Sequence, residues 1–369
     1  MMLALIKQQV ATGQSVSVLA HHHDPSKPYS ESQEFGANIH RIPILGTLLF
    51  VPLAISGFWY LKRLLKKKRV DIVHAHLPNV TCFWLLLLPR YEYKKLIVHW
   101  HSDVVGTKPH WGVKLLYPIY RVFEKALLRR ADNIIVTSHN YLTSSKPLAA
   151  FRDKCEVIPL GLEDTVELSG TNNDNSRDVK GHRVDNMLGN GNVGALCIGR
   201  LTYYKGHEFL IRAMSLLKEK QLTLSIVGTG EEAAKLKALA LKFGVNDQVR
   251  FLGHVDDTNL NLLVKRCDFL VLPSIERTEA FGLVLLEAMR AGKACICTNV
   301  EGSGMSNVVE HEKTGLVVQH SDSHALANAM ARLNNKTISD RYGELGRQRF
   351  VNAYQIDKIE KSVRSLYFQ

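Results

Sequence analysis

Short, apolar, β-branched runs recur along the whole chain with longer helical stretches between them, and this alternation limits the possible folds more than any other feature. In the first half the runs are Ser15–Ala20 (SVSVLA), Val70–Ala75 (VDIVHA), Lys95–Trp100 (KLIVHW), Asn133–Ser138 (NIIVTS) and Cys155–Gly161 (CEVIPLG). Strands without polar alternation are buried on both faces, and strands separated by helices pair in parallel under helical layers. From Glu163 to Asn192 the chain turns polar and rich in Gly, Asn and Asp, as a linker or surface excursion does. A second set then begins: GALCIGR, LTLSIVGTG, VRFLGHV, DFLVLPS, KACICTN and TGLVVQ. The expected fold class is α/β, in two separate parallel-sheet units, since 369 residues are long for one core and comfortable for two. The expected division is a first domain over 1–163, a polar linker over 164–192, a second domain over 193–350, and a helix over 351–369 that could pack back on the first domain. A ligand bound between the domains would sit at the carboxyl ends of the strands.

The 47 basic residues outnumber the 35 acidic ones, leaving a formal charge of +12. That excess suits an anionic partner: nucleic acid, a phosphate-bearing substrate or an acidic membrane face. No aromatic-rich basic strand or recognition helix stands out, so nucleic acid is not expected. The six cysteines form no CxxC pair and read as buried free thiols of a reducing compartment. The start, MMLALIKQQVATG, is a poor signal peptide. Ile42–Leu61 carries no charge for twenty residues, the length of a spanning helix, but Pro43, Gly46, Pro52 and Gly57 interrupt it. The better reading is a buried or interface-lying helix. Its basic tail of Lys62, Arg63, Lys66, Lys67, Lys68 and Arg69 would reach acidic headgroups.

Chemistry concentrates at strand ends of the second set. Gly199-Arg200 ends one strand and Lys205-Gly206 precedes a helix; two cations there suit a diphosphate, or are solvated surface charges. IVGTGEE is a glycine turn but not GxGxxG, so a nicotinamide cofactor gains little support. In SIERTEAFGLVLLEAMRAGK, Ser274–Lys293, Glu279 lies in a loop and Glu287 in the helix after it. The helix N–H groups near Phe281 to Val284 favour an anion, and the two carboxylates can accept bonds from neutral hydroxyls. A diphosphate flanked by two hydroxyl-binding carboxylates describes a nucleotide sugar; as structure alone they are a loop charge and a helix surface residue. His21-His22-His23 could bind metal or be a loop cluster without function. No D-x-D triplet offers a carboxylate pair to a metal.

The run EAFGLVLLEA, with seven residues between its glutamates, resembles the EX7E motif of retaining glycosyltransferases of family 4, which have the GT-B fold. GRLTYYKG, FLVLPS, GKACICT and TGLVV follow in that family's order, as do DIVHAHLPN, VHWHSDVVG, ADNIIVTSHNYL and VIPLGLE in the first half. PSIERTEAFG and WHSDVV resemble the bacterial branch that builds O-antigen, capsule and exopolysaccharide. The resemblance implies two Rossmann-like domains facing each other across a cleft. It implies that Arg200 and Lys205 neutralise the donor diphosphate as it leaves, which is preorganised electrostatic stabilisation. Glu287 would hold ribose hydroxyls, and Glu279 hexose hydroxyls beside the Phe281-Gly282-Leu283 backbone, with Gly253 also on the donor side. His101 would lie near the reacting carbon, with Asp103 in the same loop and His74 and His76 on the acceptor side. Retention, a metal-independent reaction, no cofactor beyond the donor, a lipid-linked or lipopolysaccharide acceptor, and a peripheral place on the cytoplasmic membrane face are implied with it. The alternatives are a truncated nucleotide-sugar-binding protein and a sugar-nucleotide epimerase of the same fold. Family members open with a strand and a glycine-rich loop; this sequence begins at what reads as the first helix, so that strand and loop are expected to be missing.

Overall fold

The computed structural model describes residues 1–48, 51–104, 111–164, 194–219 and 221–368. The segment expected as a linker lies almost wholly outside the described residues, as does the side chain of Lys68. The chain divides into two units, one of Met1–Gly161 with Ile356–Gln369, the other of Leu162–Gln355.

The first unit opens with α1 (Met2–Ala11) and β1 (Ser17–His21), then β2 (Ser30–Glu34) and β3 (Ala37–Ile42). β1 pairs in parallel with β3, and β3 antiparallel with β2. The β2–β3 turn holds Phe35 and Gly36, both at positive φ (52° and 80°), the geometry of a two-residue hairpin that matches strand twist. A short hairpin follows, β4 (Gly46–Leu48) with β5 (Val51–Leu53), then α2 (Gly57–Lys68). This corrects the reading of Ile42–Leu61 as one helix. Pro43 and Pro52 supply no N–H to a helical ladder, and the stretch instead ends β3, forms the hairpin and starts α2. The basic residues from Lys62 to Lys68 are not a tail behind a helix but lie within α2, and Arg69 is its left-handed C-cap (φ 46°). Among the described residues no helix is long and apolar enough to cross a membrane.

The unit's second sheet is parallel: β6 (Ile72–Leu77), β7 (Lys95–Trp100), β8 (Asn133–Val136) and β9 (Cys155–Val157), in that spatial order. The 3-10 segment Val80–Leu87 and helices α3 (Trp111–Arg130) and α4 (His139–Ser144) connect its strands. α1 and the last helix, α12 (Ile356–Phe368), cover this sheet. Ile356, Ile359, Val363 and Leu366, spaced to lie on one helical face, pack with Ala4 and Leu5 against Ile97, Ile135 and Ile158. At about 1.5–3 kcal/mol per buried aliphatic side chain, those four α12 residues contribute at most about 6–12 kcal/mol to the unit.

The second unit is one six-stranded parallel sheet. Its strands are β10 (Ala195–Ile198), β11 (Leu224–Val227), β12 (Val249–Gly253), β13 (Phe269–Leu272), β14 (Ala294–Asn299) and β15 (Gly315–Gln319), in the order β12-β11-β10-β13-β14-β15. Every residue of β10, β11 and β13 is buried, as runs that are apolar apart from Ser225 require. Helices α5 (His207–Ser215), α6 (Ala233–Lys242), α7 (Asp257–Arg266), α8 (Leu283–Arg290), α9 (Met305–Val308), α10 (Ser323–Leu333) and α11 (Lys336–Ala353) complete it. The order reverses between β10 and β13. In an open parallel sheet such a switch point leaves a crevice at the strands' carboxyl ends, where ligands bind.

Candidate active site

At that switch point two loops meet. The loop after β10 carries Arg200 and Lys205; the loop after β13 carries Ser274 and Glu279. Glycines let the backbones approach. A Cβ on Gly228 would stand 1.9 Å from the Gly199 carbonyl oxygen, one on Gly206 2.1 Å from that of Pro273, and both glycines have positive φ. Ile275 N–H donates to the Tyr204 carbonyl at 2.8 Å, tying the loops together. Lys205 Nζ then donates to Glu279 Oε2 at 2.5 Å, with Ser274 Oγ donating to the same oxygen at 3.3 Å. The two side chains are only 11% and 13% exposed. Burial pulls the Lys205 pKa down, but the charge and hydrogen bond of Glu279 outweigh it and leave the ammonium above the ordinary lysine value. Ser303 Oγ donates to the Glu279 carbonyl at 2.5 Å and Gly304 N–H to the Ala280 carbonyl at 2.8 Å, which holds the loop from its far side.

Arg200 is exposed, and among the described residues no carboxylate pairs with it. α8 begins after Gly282 (φ 80°), and its first turn leaves N–H groups without an intrahelical partner. Phe281 is buried and Leu283 half-buried. Glu287, in the second turn of α8, is half-buried; burial raises its pKa, partly offset by Arg290. Gly253 ends β12 at φ +66° with open space where a Cβ would stand. His207, the first residue of α5, is buried, and neither ring nitrogen has a hydrogen-bond partner. Burial, and then the Lys205 charge, pushes it down to about 4, so it is neutral beside the lysine at pH 7.

In the first unit the predicted histidines meet at the carboxyl ends of β6 and β7, where the register pairs His76 with His99. His74, His76, His99 and His101 stack, with centroids 4.4–5.4 Å apart and rings within 11–23° of parallel. His76 Nδ1 and His101 Nε2 lie 2.9 Å apart; His74 Nε2 and His99 Nδ1 lie 3.3 Å apart. Burial holds His101 at about 4; burial first and the His101 ring second hold His74 there too. Burial and the neighbouring rings push His76 and His99 well below the ordinary value. Asp103 is tied into the protein: Oδ1 accepts from Trp100 Nε1 at 3.0 Å and Ser145 Oγ at 2.8 Å, and its N–H donates to Tyr141 Oη at 2.5 Å. It pins the loop that carries His101.

α2 presents an open groove of ≈ 520 Å³ lined by Trp59, Lys62, Arg63, Lys66 and Lys67. α3 exposes Trp111, Leu115, Ile119 and Val122 at helical spacing, together with Phe123. Both helices pack on Val80–Leu87. Two residues escaped the sequence reading: His207, whose signal was its place beside Lys205-Gly206, and His99, whose signal was a second H-x-H on the strand next to the first.

Comparison with known proteins places both units. Residues 1–161 match the family described as "Glycosyl transferase 4-like domain", and residues 183–349 that described as "Glycosyl transferases group 1". The chain is 32% identical to the O-antigen chain mannosyltransferase C of Escherichia coli, over 82% of this chain and 76% of that one. It is 31% identical to the D-rhamnosyltransferase WbpZ of Pseudomonas aeruginosa strain PAO1, over 83% and 74%. The Anabaena protein Alr3699/HepE, solved in complex with UDP and glucose, superposes with a TM-score of 0.72 at 19% identity, over 99% of this chain and 94% of that one.

Proposed function

The chain belongs to the glycosyltransferases of the family 4 type, with the GT-B fold, and from that premise we propose that it is a retaining hexosyltransferase of bacterial surface polysaccharide synthesis. The donor is a nucleotide sugar, and the acceptor a lipid-linked or lipopolysaccharide glycan. The observation that carries the reading is the Lys205–Glu279 pair at the strand-order reversal, with Arg200 exposed beside it. In the unliganded protein the pair neutralises itself. An arriving diphosphate competes with Glu279 for the ammonium, so the carboxylate turns to the hexose hydroxyls while Lys205 and Arg200 hold the phosphates. Breaking the anomeric carbon–oxygen bond puts negative charge on the leaving diphosphate and positive charge on the sugar ring. Lys205, Arg200 and the α8 N–H groups stabilise the first without a metal. Glu287 takes the ribose hydroxyls. In the first unit, His101 held by His76 is the candidate for the sugar's reacting carbon, with His74 and Asp103 shaping the acceptor side.

The names of the mannosyl- and rhamnosyltransferase relatives support the polysaccharide context, and the UDP and glucose bound to the Anabaena protein support a nucleotide-sugar donor. The basic groove on α2 and the apolar stripe on α3 support a peripheral place on an anionic membrane surface. A nucleotide panel screened by thermal shift, followed by transfer from labelled donor to a lipid-linked glycan, tests the reading. A nucleoside diphosphate at a hundred times its Kd should stabilise by about 2.7 kcal/mol, and its sugar should lengthen the glycan. Stabilisation without any lengthened glycan would make this a binding protein, and an epimerised nucleotide would make it an epimerase.

A further inference from the structure

The four stacked histidines have features that sugar transfer does not use. His74 and His76, two apart on β6, point to one face of the sheet, and the parallel register sets His99 of β7 beside them. Each of these three offers a ring nitrogen, and the three atoms lie within 4.8 Å of one another. Two ligands at i and i+2 of one strand and a third on its neighbour give a sheet a three-imidazole site without bending the backbone. His99 is 1% exposed and its Nε2 has no hydrogen-bond partner. His99 Nδ1 is the ring nitrogen that faces His74 Nε2, and so the one this ring offers to an ion.

We propose that His74, His76 and His99 form a binding site for a borderline divalent transition cation, zinc above all. The donor set is imidazole only, which suits zinc, copper or nickel and disfavours magnesium, calcium and manganese. Nitrogens held roughly 2.0–2.1 Å from a tetrahedral zinc stand about 3.3 Å apart, and His74 Nε2 and His99 Nδ1 are 3.3 Å apart. Ligands of this kind are oriented by a second hydrogen bond at the other ring nitrogen. His74 has one: Nδ1 lies 2.7 Å from Tyr367 Oη on α12. With Nδ1–H donated to that oxygen, which also accepts from Gln9 Nε2 at 2.8 Å, Nε2 keeps its lone pair for the metal. His101 does the same for His76, at 2.9 Å. The rings are close to parallel, so reaching one ion requires turns about χ2, a broad torsion, with the backbone unmoved. The site ties β6 to β7 and, through Tyr367, to α12. It is a stabilising site within the first unit and places no metal on the donor phosphates.

The test uses the full chain stripped with a chelator, then titrated with zinc alone against a chromophoric chelator. One zinc should bind per chain and raise the melting temperature, and cobalt in its place should give the strong visible absorption of four-coordination. Tyr367→Phe should weaken zinc about tenfold to a hundredfold, as loss of a ligand-orienting partner does, and His74→Gln/His99→Gln should abolish the site. Tyr367→Phe keeps the ligands, so it reports even if the double variant fails to fold. His22→Gln/His23→Gln removes the other histidine cluster and should change nothing. Failure of the parent chain to retain zinc one-to-one overturns the proposal, as does zinc that survives both ligand changes or depends on His22 and His23.

Discussion

Lys205→Met separates the folding role of the buried pair from the role in transfer proposed for it. The change keeps most of the lysine stem but leaves the Glu279 carboxylate, 13% exposed, with only the 3.3 Å contact from Ser274 Oγ. Removing one partner of a buried pair costs about 3–5 kcal/mol. Because a little of each side chain remains wet, the lower end applies, about 3 kcal/mol. For a unit of this size that is a fall of about 6–12 °C in melting temperature. Lys205→Met/Glu279→Gln removes the stranded charge as well and should recover most of that loss, though sugar transfer stays abolished. Glu279→Gln alone should act with opposite sign on two readouts. It frees Lys205 from its carboxylate, so a nucleoside diphosphate should bind more tightly. It also removes the charged hydrogen bond proposed to the sugar, worth about 1.5–3 kcal/mol, so transfer should fall about tenfold to a hundredfold. Differential scanning fluorimetry, nucleotide titration calorimetry and donor turnover read the three quantities on the same preparations. If Lys205→Met melts with the parent, or if Glu279→Gln weakens diphosphate binding, the two residues are not a buried ion pair that competes with the diphosphate.

Glu287→Ala should weaken free nucleotide and intact donor alike, since the proposed contact is to the ribose; equal binding of nucleoside diphosphate by parent and variant in calorimetry would remove that assignment. Glu124, 0% exposed on α3, is pushed up to about 7 by burial, against the opposing pull of Arg121 at 2.7 Å. A raised carboxyl pKa favours the folded state only while the group is protonated, so that contribution fades as pH rises from 4.5 through 7. Glu124→Gln should therefore gain on the parent across that window, by up to about 3 kcal/mol, in urea melts at a series of pH values. The histidines run the other way: held at about 4, His74, His101 and His207 resist protonation in the fold, so stability should drop as pH falls from 6.5 towards 4 and then level off. Changing Lys62, Arg63, Lys66, Lys67, Lys68 and Arg69 to glutamine should reduce sedimentation with anionic vesicles by up to about 1 kcal/mol per residue, and salt should mimic the change.

The parts of the fold that were legible are those where burial dictates composition. β10 and β13 are unbroken apolar runs because both faces are covered, and β6, β7 and β11 are apolar runs broken only by His74, His76, Lys95, His99 and Ser225; each appeared in the sequence as such. The strands between Ser30 and Leu53 were not legible. β2 reads SESQE, half exposed at an edge, and β4 and β5 are three residues each, too short for a period to show. The candidate site's residue types stood at strand ends in the sequence, because such chemistry is local. The direct bond between Lys205 and Glu279 was not legible there, since they are 74 positions apart and only the reversal of strand order brings their loops together. The histidine stack likewise needed the register of β6 against β7, which no single strand's sequence contains.

The return of Ile356–Gln369 to the first unit makes the second unit an insertion within the first. A ribosome therefore completes the two in reverse of their order in the message. Leu162–Gln355 has its whole sheet and core in one continuous stretch and can close as soon as it emerges. The earlier-made β6–β9 sheet must wait, with Ile97, Ile135 and Ile158 covered by α1 alone, until α12 has been synthesised. During that interval nearly two hundred residues pass through the exit tunnel while an apolar sheet face stands exposed to chaperones and to other nascent chains. Mutations on the packing face of α12 should then lower yield in cells more than their effect on the melting of purified protein would suggest.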